Sequence, residues 1–520
     1  MAFINAESVI VRVFGSISFN GLKAILGFFS TMIIARHLAP SGYGDLMFLF
    51  GVFVTLRPLL DLGSSNAFFT FLSEGVKAAN YYLLYFLWLA AQFFLMTLLI
   101  FIILPDAWYE KLWLNHDRLV VFLAFFAVFM QQQIWQSFVQ IGEAFRQTIK
   151  VQLASLIIAV SYLVSLILVA NFSNLTVKDV FLIQITQYFI ATLIFYFLIR
   201  KKHRKNFDSQ KSFKVISLEF FHYCKPLIAV TFAGFLYEFL DKWMLQKFSG
   251  SEQQGFFQIS SQFASLSLLF TASVMGIFWK EFSALWAAGN CEEMAKLYRM
   301  FTQGLVMISA AISGFLIPWS KEILISLLGD SYSGATMILA IALLYPIHQT
   351  MGQVCGVVFL ASRQTKRFMI ISIAIMLSSI PLTYILLAPN TNLSYGGFNL
   401  GAIGLAIKMV GLGAISVNLQ SWVISKFCGW KYQWLWQFYG ISLFVFGGFI
   451  FKAALNAIFD INPNDKNSLI IPLITYSFLY LALSISIFFA FPSIFGLNRS
   501  MQLNFVRRVY NKLKHPAFKF

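Results

Sequence analysis

Apolar residues in this chain gather in blocks of about twenty, repeated from end to end and parted by short polar connections, the length a helix needs to cross a hydrocarbon core of about 30 Å. Apolar windows place spans near residues 13 to 35, 46 to 72, 81 to 104, 119 to 142, 149 to 171, 180 to 199 and 219 to 246. They continue near 257 to 279, 302 to 319, 335 to 361, 368 to 388, 401 to 424, 436 to 459 and 468 to 492. The pattern predicts an all-α polytopic membrane protein of about fourteen transmembrane helices. A short amphipathic stretch, AAGNCEEMAKLYR, separates the eighth span from the ninth and is expected at the membrane surface.

Composition strengthens this reading. Hydrophobic residues make up 59% of the 520 and charged residues 11%, whereas a soluble chain carries roughly 25% charge. So little charge cannot cover a soluble surface of this size. The first block, from Val13, holds Asn20 and Lys23 and is followed by a Gly/Pro loop without a small-residue cleavage site, so it is expected to stay as a span. Cys224, Cys291, Cys355 and Cys428 are scattered with no CxxC pair, which gives no zinc site and no disulfide framework. No metal or cofactor is expected.

A net charge of +17 would suggest nucleic acid in a soluble protein, but the position of the charge decides otherwise. One alternate set of loops carries Arg200, Lys201, Lys202, Arg204, Lys205, Lys211 and Lys214, then Arg363, Lys366 and Arg367. The tail on the same side adds Arg499, Arg507, Arg508, Lys512, Lys514 and Lys519, for about 25 basic residues in all. The opposite loops hold about 7, among them Arg36, Lys111, Arg118, Lys178 and Lys247. Basic residues stay cytoplasmic, so both termini are expected inside and no nucleic-acid partner is implied. Membrane lipid is the partner this charge pattern predicts. No loop is long enough for a soluble catalytic domain, and no GxxxxGK[ST] stretch is present to bind ATP.

The halves of the chain are related. ARHLAPSGYG (35 to 44) aligns without gaps on QKFSGSEQQG (246 to 255), with Arg36 on Lys247 and Gly44 on Gly255, at an offset of 211 residues that also sets the first span on the seventh. Parallel repeats of this kind recur in transporters, with the substrate site between halves near the midplane. The expected organisation is an N-terminal lobe, 1–210, with six spans, a C-terminal lobe, 211–430, with six more, and residues 431–520 with two further spans and a basic tail.

The stretch IIARHLAPSGYGDLMFLFGVFVTLRPLLDLGSSNAFFTFLSEG resembles the signature of the polysaccharide transporter family of the multidrug/oligosaccharidyl-lipid/polysaccharide (MOP) exporter superfamily, which includes Wzx-type oligosaccharide flippases. YEFLDKWMLQKFSGSEQQGFFQ, GNCEEMAKLYR, LLGDSYSGA, LASRQTKR and NLGAIGLA follow in that family's order, over most of residues 10 to 430. The resemblance implies two MATE-like lobes and an undecaprenyl-pyrophosphate-linked oligosaccharide, turned from the cytoplasmic to the periplasmic leaflet of the bacterial inner membrane by alternating access. It further implies O-antigen or exopolysaccharide synthesis, H+ or Na+ coupling, and a monomer working alone or with polysaccharide assembly proteins.

Charges at bilayer depth cost roughly 2.5 to 3.5 kcal/mol each, so those retained are candidates for function. Lys23 lies mid-span, and Ser16, Asn20, Lys23 and Gly27 make a polar stripe on one helical face. Arg57 is equally deep, before Pro58, with Asp61 one turn on; the two could neutralise each other, or Arg57 could meet a pyrophosphate in bidentate fashion. Pro58 is expected to kink the second span. On the seventh span Glu238, Asp241 and Lys242 cluster, and on the fourth Gln132, Gln136, Gln140 and Glu143 share a face suited to sugar hydroxyls or interhelical bonds. The expected substrate contacts are therefore Lys23, Arg57, Asn20, Gln136, Gln140 and Lys242, and the expected ion-coupling carboxylates are Asp61, Glu238 and Asp241. Trp430, Trp434 and Trp436 read as an interfacial belt.

Two other functions fit the pattern less well. A cation-coupled multidrug antiporter should have an acidic cavity, whereas the deepest charges include Lys23 and Arg57. A membrane-embedded polymerase, ligase or glycosyltransferase would need a long outer loop or paired acids, and the first outer loop has only Asp45. The topology is open to a direct test, because Cys291 and Cys428 fall on the basic side. An impermeant maleimide should label neither in sealed spheroplasts and should reach accessible thiols only after permeabilisation; labelling in sealed cells would refute the orientation.

Overall fold

The computed structural model describes residues 6–74, 79–145, 147–200, 212–225, 228–268, 271, 275–390, 397–503 and 507. The basic cluster at 201–211 and the tail from 508 lie outside these residues, as does the side chain of Ser16. Among the described residues the chain is all helix, without strands. It is an all-α polytopic membrane protein. Among the described residues eleven helical ranges are long and apolar enough to cross a membrane, the first of which, Ser18–Asp61, overlaps two of the expected spans. The expected seventh span does not meet the same standard of apolarity, because Glu238, Asp241 and Lys242 put three charges within one turn and a half.

Two helical hairpins share one backbone irregularity. Ala6–Asp61 runs as 56 helical residues broken only at Ala39 (φ 54°, ψ 175°), and Ile228–Ser265 is broken at Gly250 (φ 83°, ψ 176°). Positions 39 and 250 differ by the offset of 211 seen in the repeat. In the first hairpin Pro40 forbids residue 39 the helical conformation and starts the next helix with its preset φ. In the second, glycine reaches the same dihedrals without a Cβ penalty.

The hairpins meet reciprocally. A β-carbon on Gly44 would be driven into the backbone oxygen of Ser251, and one on Gly255 into that of Pro40. Since 251 and 255 are the repeat equivalents of 40 and 44, the contact is the same from both sides, as a two-fold relation requires. Around it, Asp45 accepts hydrogen bonds from Gln246 (2.9 Å) and from the Ser251 hydroxyl, and its carboxylate lies 3.2 Å from His116 Nε2. His116 donates through Nδ1 to the Trp113 carbonyl at 2.6 Å. Burial alone would lower its pKa, but the bonds to Asp45 and Trp113 outweigh it and the pKa is raised.

The second span continues through Pro58 and breaks at Leu62 (φ 51°) and Gly63 (φ 85°), from which Ser64–Glu74 starts a new helix. The fourth span contains a π-helical turn, Met130–Trp135. That turn shifts the register of the glutamines, so that Gln131 bonds Tyr188 and Gln184 while Gln133 bonds Gln92.

The chain forms two compact units, residues 1–258 with 380–402, and residues 259–379 with 403–520. In the second unit Leu435–Ile458 and Lys466–Ala490 pack on Cys291–Leu316 through close approach of Gly448 to Gly314. Tyr480 donates to the Ala311 carbonyl at 2.9 Å, and Lys452 pairs with Glu322 at 2.9 Å over the Trp319 ring. Lys452 is thus one member of a buried ion pair. Cys428 is buried and Cys291 is not, which makes Cys291 the reporter in the labelling experiment.

Ala39 occupies dihedrals that are essentially reserved for glycine, which costs about 1 to 3 kcal/mol. Ala39→Gly is expected to raise the unfolding temperature of the purified protein, and Gly44→Ala, which meets backbone rather than a movable side chain, to lower it. Equal melting temperatures for wild type and both variants would show that the hairpin carries no such strain.

Candidate functional site

The polar residues of the first unit fall into three groups. In the first, Lys23 donates to Gln152 Oε1 at 2.8 Å, and the Glu143 carboxylate lies within electrostatic reach. Gln152 belongs to Thr148–Phe172 and Glu143 to Gln136–Ala144, so the first, fourth and fifth spans converge on this ammonium. Gln140, one turn before Glu143, has a buried Oε1 with no hydrogen-bond partner, and Gln136 is half-buried. Asn20 is exposed, and a β-carbon on Gly27 would meet nothing within 4 Å. Of the stripe read from the sequence, Asn20 and Gly27 are thus open while Lys23 is engaged by Gln152.

The second group turns on a division of labour between Arg57 and Asp61. The break at Leu62–Gly63 frees backbone groups at the start of the next helix, and Asp61 satisfies them. Its carboxylate accepts from the Ser65 N–H (3.0 Å), the Ser65 hydroxyl (2.7 Å) and the Ser64 hydroxyl (2.7 Å), while Trp88 donates to Ser64 at 3.1 Å. Asp61 is the cap of the following helix. Its acceptor capacity is used there, so it forms no ion pair with Arg57 despite the spacing of four residues. Arg57 makes no hydrogen bond or ion pair among the described residues, and its Nε is buried without a partner. The i,i+4 spacing alone could not reveal this.

In the third group, on the seventh span, Lys242 lies 3.8 Å from Glu238, and its stem lies across Gly51 of the second span, where a β-carbon would stand 2.8 Å from Cδ. Asp241 accepts from Thr383 at 2.7 Å, and Glu238 is largely exposed. Lys23, Gln140 and Gln136 are thus gathered on one set of helices, Arg57 stands apart with its donors free, and Lys242 is joined to Glu238. The partnership of Lys23 with Gln152 left no signal in the sequence. Glu143 did leave one, since it lies on the same helical face as Gln136 and Gln140. The chemistry available at these groups is that of anion and hydroxyl binding, with cations and an unpartnered amide oxygen on Gln140.

Comparison with solved structures finds the same kind of helical fold elsewhere. The fold is similar to that of "Lipid II flippase MurJ, inward closed conformation", at a TM-score of 0.64 and 15% identity over 90% of this chain and 98% of that one. It is also similar to an inward-facing multidrug resistance MATE family transporter of the MOP superfamily (TM-score 0.56, 14% identity, 78% and 95% coverage). A MOP superfamily transporter from Pyrococcus furiosus matches at a TM-score of 0.51 and 13% identity, over 84% and 96%. No curated protein matches the sequence. A sequence profile for the family described as "Polysaccharide biosynthesis protein" matches residues 12–279, just over half of the chain, and the protein belongs to that family. The resemblance to the Wzx-type polysaccharide transporters is thereby supported.

The two roles in the second span separate by stability. Loss of a helix cap costs about 0.5 to 2 kcal/mol, so Asp61→Ala should lower the melting temperature of the purified protein. Arg57→Gln removes a buried donor that bonds nothing and should leave it unchanged or raised. A fall with Arg57→Gln that Asp61→Ala then reverses would show that the two side chains act as a structural pair.

Proposed function

We propose that this protein is a flippase for oligosaccharides carried on a polyprenyl pyrophosphate, moving them from the cytoplasmic to the periplasmic leaflet of the bacterial inner membrane in O-antigen or exopolysaccharide synthesis. The observation that carries the proposal is Arg57, a guanidinium within a span, its Nε buried and unpartnered, and its nearest acid in sequence engaged elsewhere. A pyrophosphate crossing the membrane brings about two negative charges, whose desolvation without partners would cost several kcal/mol or more. A waiting guanidinium offsets that cost and matches phosphate oxygens in bidentate geometry. Lys23 and Lys242 supply further positive charge, and Asn20, Gln136 and Gln140 supply groups for sugar hydroxyls.

Family membership and the MurJ-like fold support transport of this kind without fixing the cargo. We assign the two halves of the repeat, 1–210 and 211–430, to the lobes of an alternating-access cycle, with 431–520 appended. Both termini face the cytoplasm in this scheme. Ion coupling, by H+ or Na+, falls to Glu238 and Asp241, because Asp61 is held by its cap bonds. The protein works as a monomer, alone or beside polysaccharide assembly proteins.

Proteoliposomes holding the purified protein provide the test. A fluorescent polyprenyl-pyrophosphate oligosaccharide should change leaflets on addition of wild-type protein. Arg57→Lys should retain less of that flux than its preserved charge would suggest, because the planar fork is lost. Flux of organic cations without flux of the pyrophosphate lipid would overturn the reading in favour of a drug antiporter.

A further inference from the structure

A separate concavity lies in the second unit and involves none of the three groups above. The helix Gly401–Cys428 ends on Gly429 (φ 81°), and the N–H groups of both Gly429 (2.9 Å) and Trp430 (3.0 Å) return to the Ser425 carbonyl. This is the left-handed glycine stop in which the residue after the glycine folds back on the helix. It carries Trp430 onto Tyr298, ring centroids 5.6 Å apart and 29° from parallel. The rest of the loop is tied down at Asn418, which accepts from the Tyr432 hydroxyl and from Gln437 at 3.0 Å and donates to the Ala414 carbonyl at 2.7 Å. The loop is therefore held in place before any ligand arrives.

Between this loop and the start of Cys291–Leu316 is a shallow concavity open to the surface. Its wall combines three kinds of chemistry. Trp430 and Trp436 give flat apolar surface. Arg299 and Lys431, both exposed, bear positive charge and make no ion pair among the described residues, while the nearby acids Glu292 and Glu293 are held by Lys296 at 3.1 and 2.9 Å. At the floor Thr302 is only 2% exposed and its hydroxyl bonds nothing, with Gln303 beside it. A buried hydroxyl without a partner destabilises the fold, and a ligand hydroxyl or phosphate oxygen would satisfy it. Close in sequence to Gln433 and Trp436 of its wall, Trp434, Phe438 and Tyr439 are 50%, 61% and 66% exposed. These are surfaces for acyl chains rather than for water.

We infer that this concavity binds the headgroup of an anionic phospholipid, a phosphate ester with free hydroxyls of the phosphatidylglycerol kind, on the face that the basic residues mark as cytoplasmic. Arg299 and Lys431 hold the phosphate, Thr302 and Gln303 the hydroxyls, and the exposed aromatic residues the lipid tails. The site stands or falls independently of the proposed cargo, because neither Arg57 nor the first unit takes part.

Native mass spectrometry of the full-length protein released from detergent, titrated with short-chain phosphatidylglycerol, phosphatidylcholine or soluble glycerol 1-phosphate, tests this. Phosphatidylglycerol should bind in a saturable adduct that phosphatidylcholine does not match. Arg299→Gln with Lys431→Gln should weaken it about tenfold, the loss expected for charge-assisted bonds. Both side chains are exposed, so folding should be unaffected, and Lys426→Gln, an exposed cation outside the concavity, should leave binding as it was. Equal loss with Lys426→Gln, or none with the double variant, would overturn the site. Glycerol 1-phosphate binding as tightly as the lipid would overturn the assignment to a membrane headgroup.

Discussion

A helix that breaks within hydrocarbon must have its freed backbone groups satisfied by the protein, since no water is present to do so. In the second span that requirement falls on Asp61, and the rest of the candidate site follows from it. The carboxylate that would otherwise neutralise Arg57 is turned onto Ser64 and Ser65. A guanidinium with a buried and unpartnered Nε is the result, an arrangement that costs stability unless something else binds it. Binding function and helix termination are thus two consequences of one side-chain commitment.

The same economy shows in the paired hairpins. Each needs a residue with positive φ to turn between helices, and each needs a glycine one turn later to let the other hairpin approach. The two solutions differ in chemistry but not in geometry, Ala39 with Pro40 in one and Gly250 in the other. Ala39 carries strain that Gly250 does not. Asp45 then joins the hairpins through side chains, taking bonds from Gln246 and Ser251 on one and facing His116 from the third loop.

Much of this was legible in the sequence, and the exceptions have physical causes. Blocks of apolar residues gave the helices, and the alignment of Gly44 with Gly255 marked equivalent positions in the two halves without showing that they meet. The seventh span carries three charges in five residues, which an average over its apolar neighbours hides. Whether Arg57 and Asp61 pair was left open by the sequence, because spacing says which side chains can meet, not which partner they take once a helix ends beside them. Lys23 stood out as a mid-span charge, but its bond to Gln152 crosses 129 residues and no local pattern encodes it. Trp430 and Trp436 read as belt residues, and only the turn at Gly429 shows that they line a concavity.

The central claim is that the Arg57 guanidinium is kept free for a phosphate. Solid-state NMR can observe that contact directly, as dipolar dephasing between arginine side-chain 15N and 31P of a bound polyprenyl-pyrophosphate sugar in protein labelled at arginine. The account predicts dephasing in the wild type that disappears in Arg57→Lys. Undiminished dephasing in that variant would contradict it, because the phosphate would then be held by another arginine.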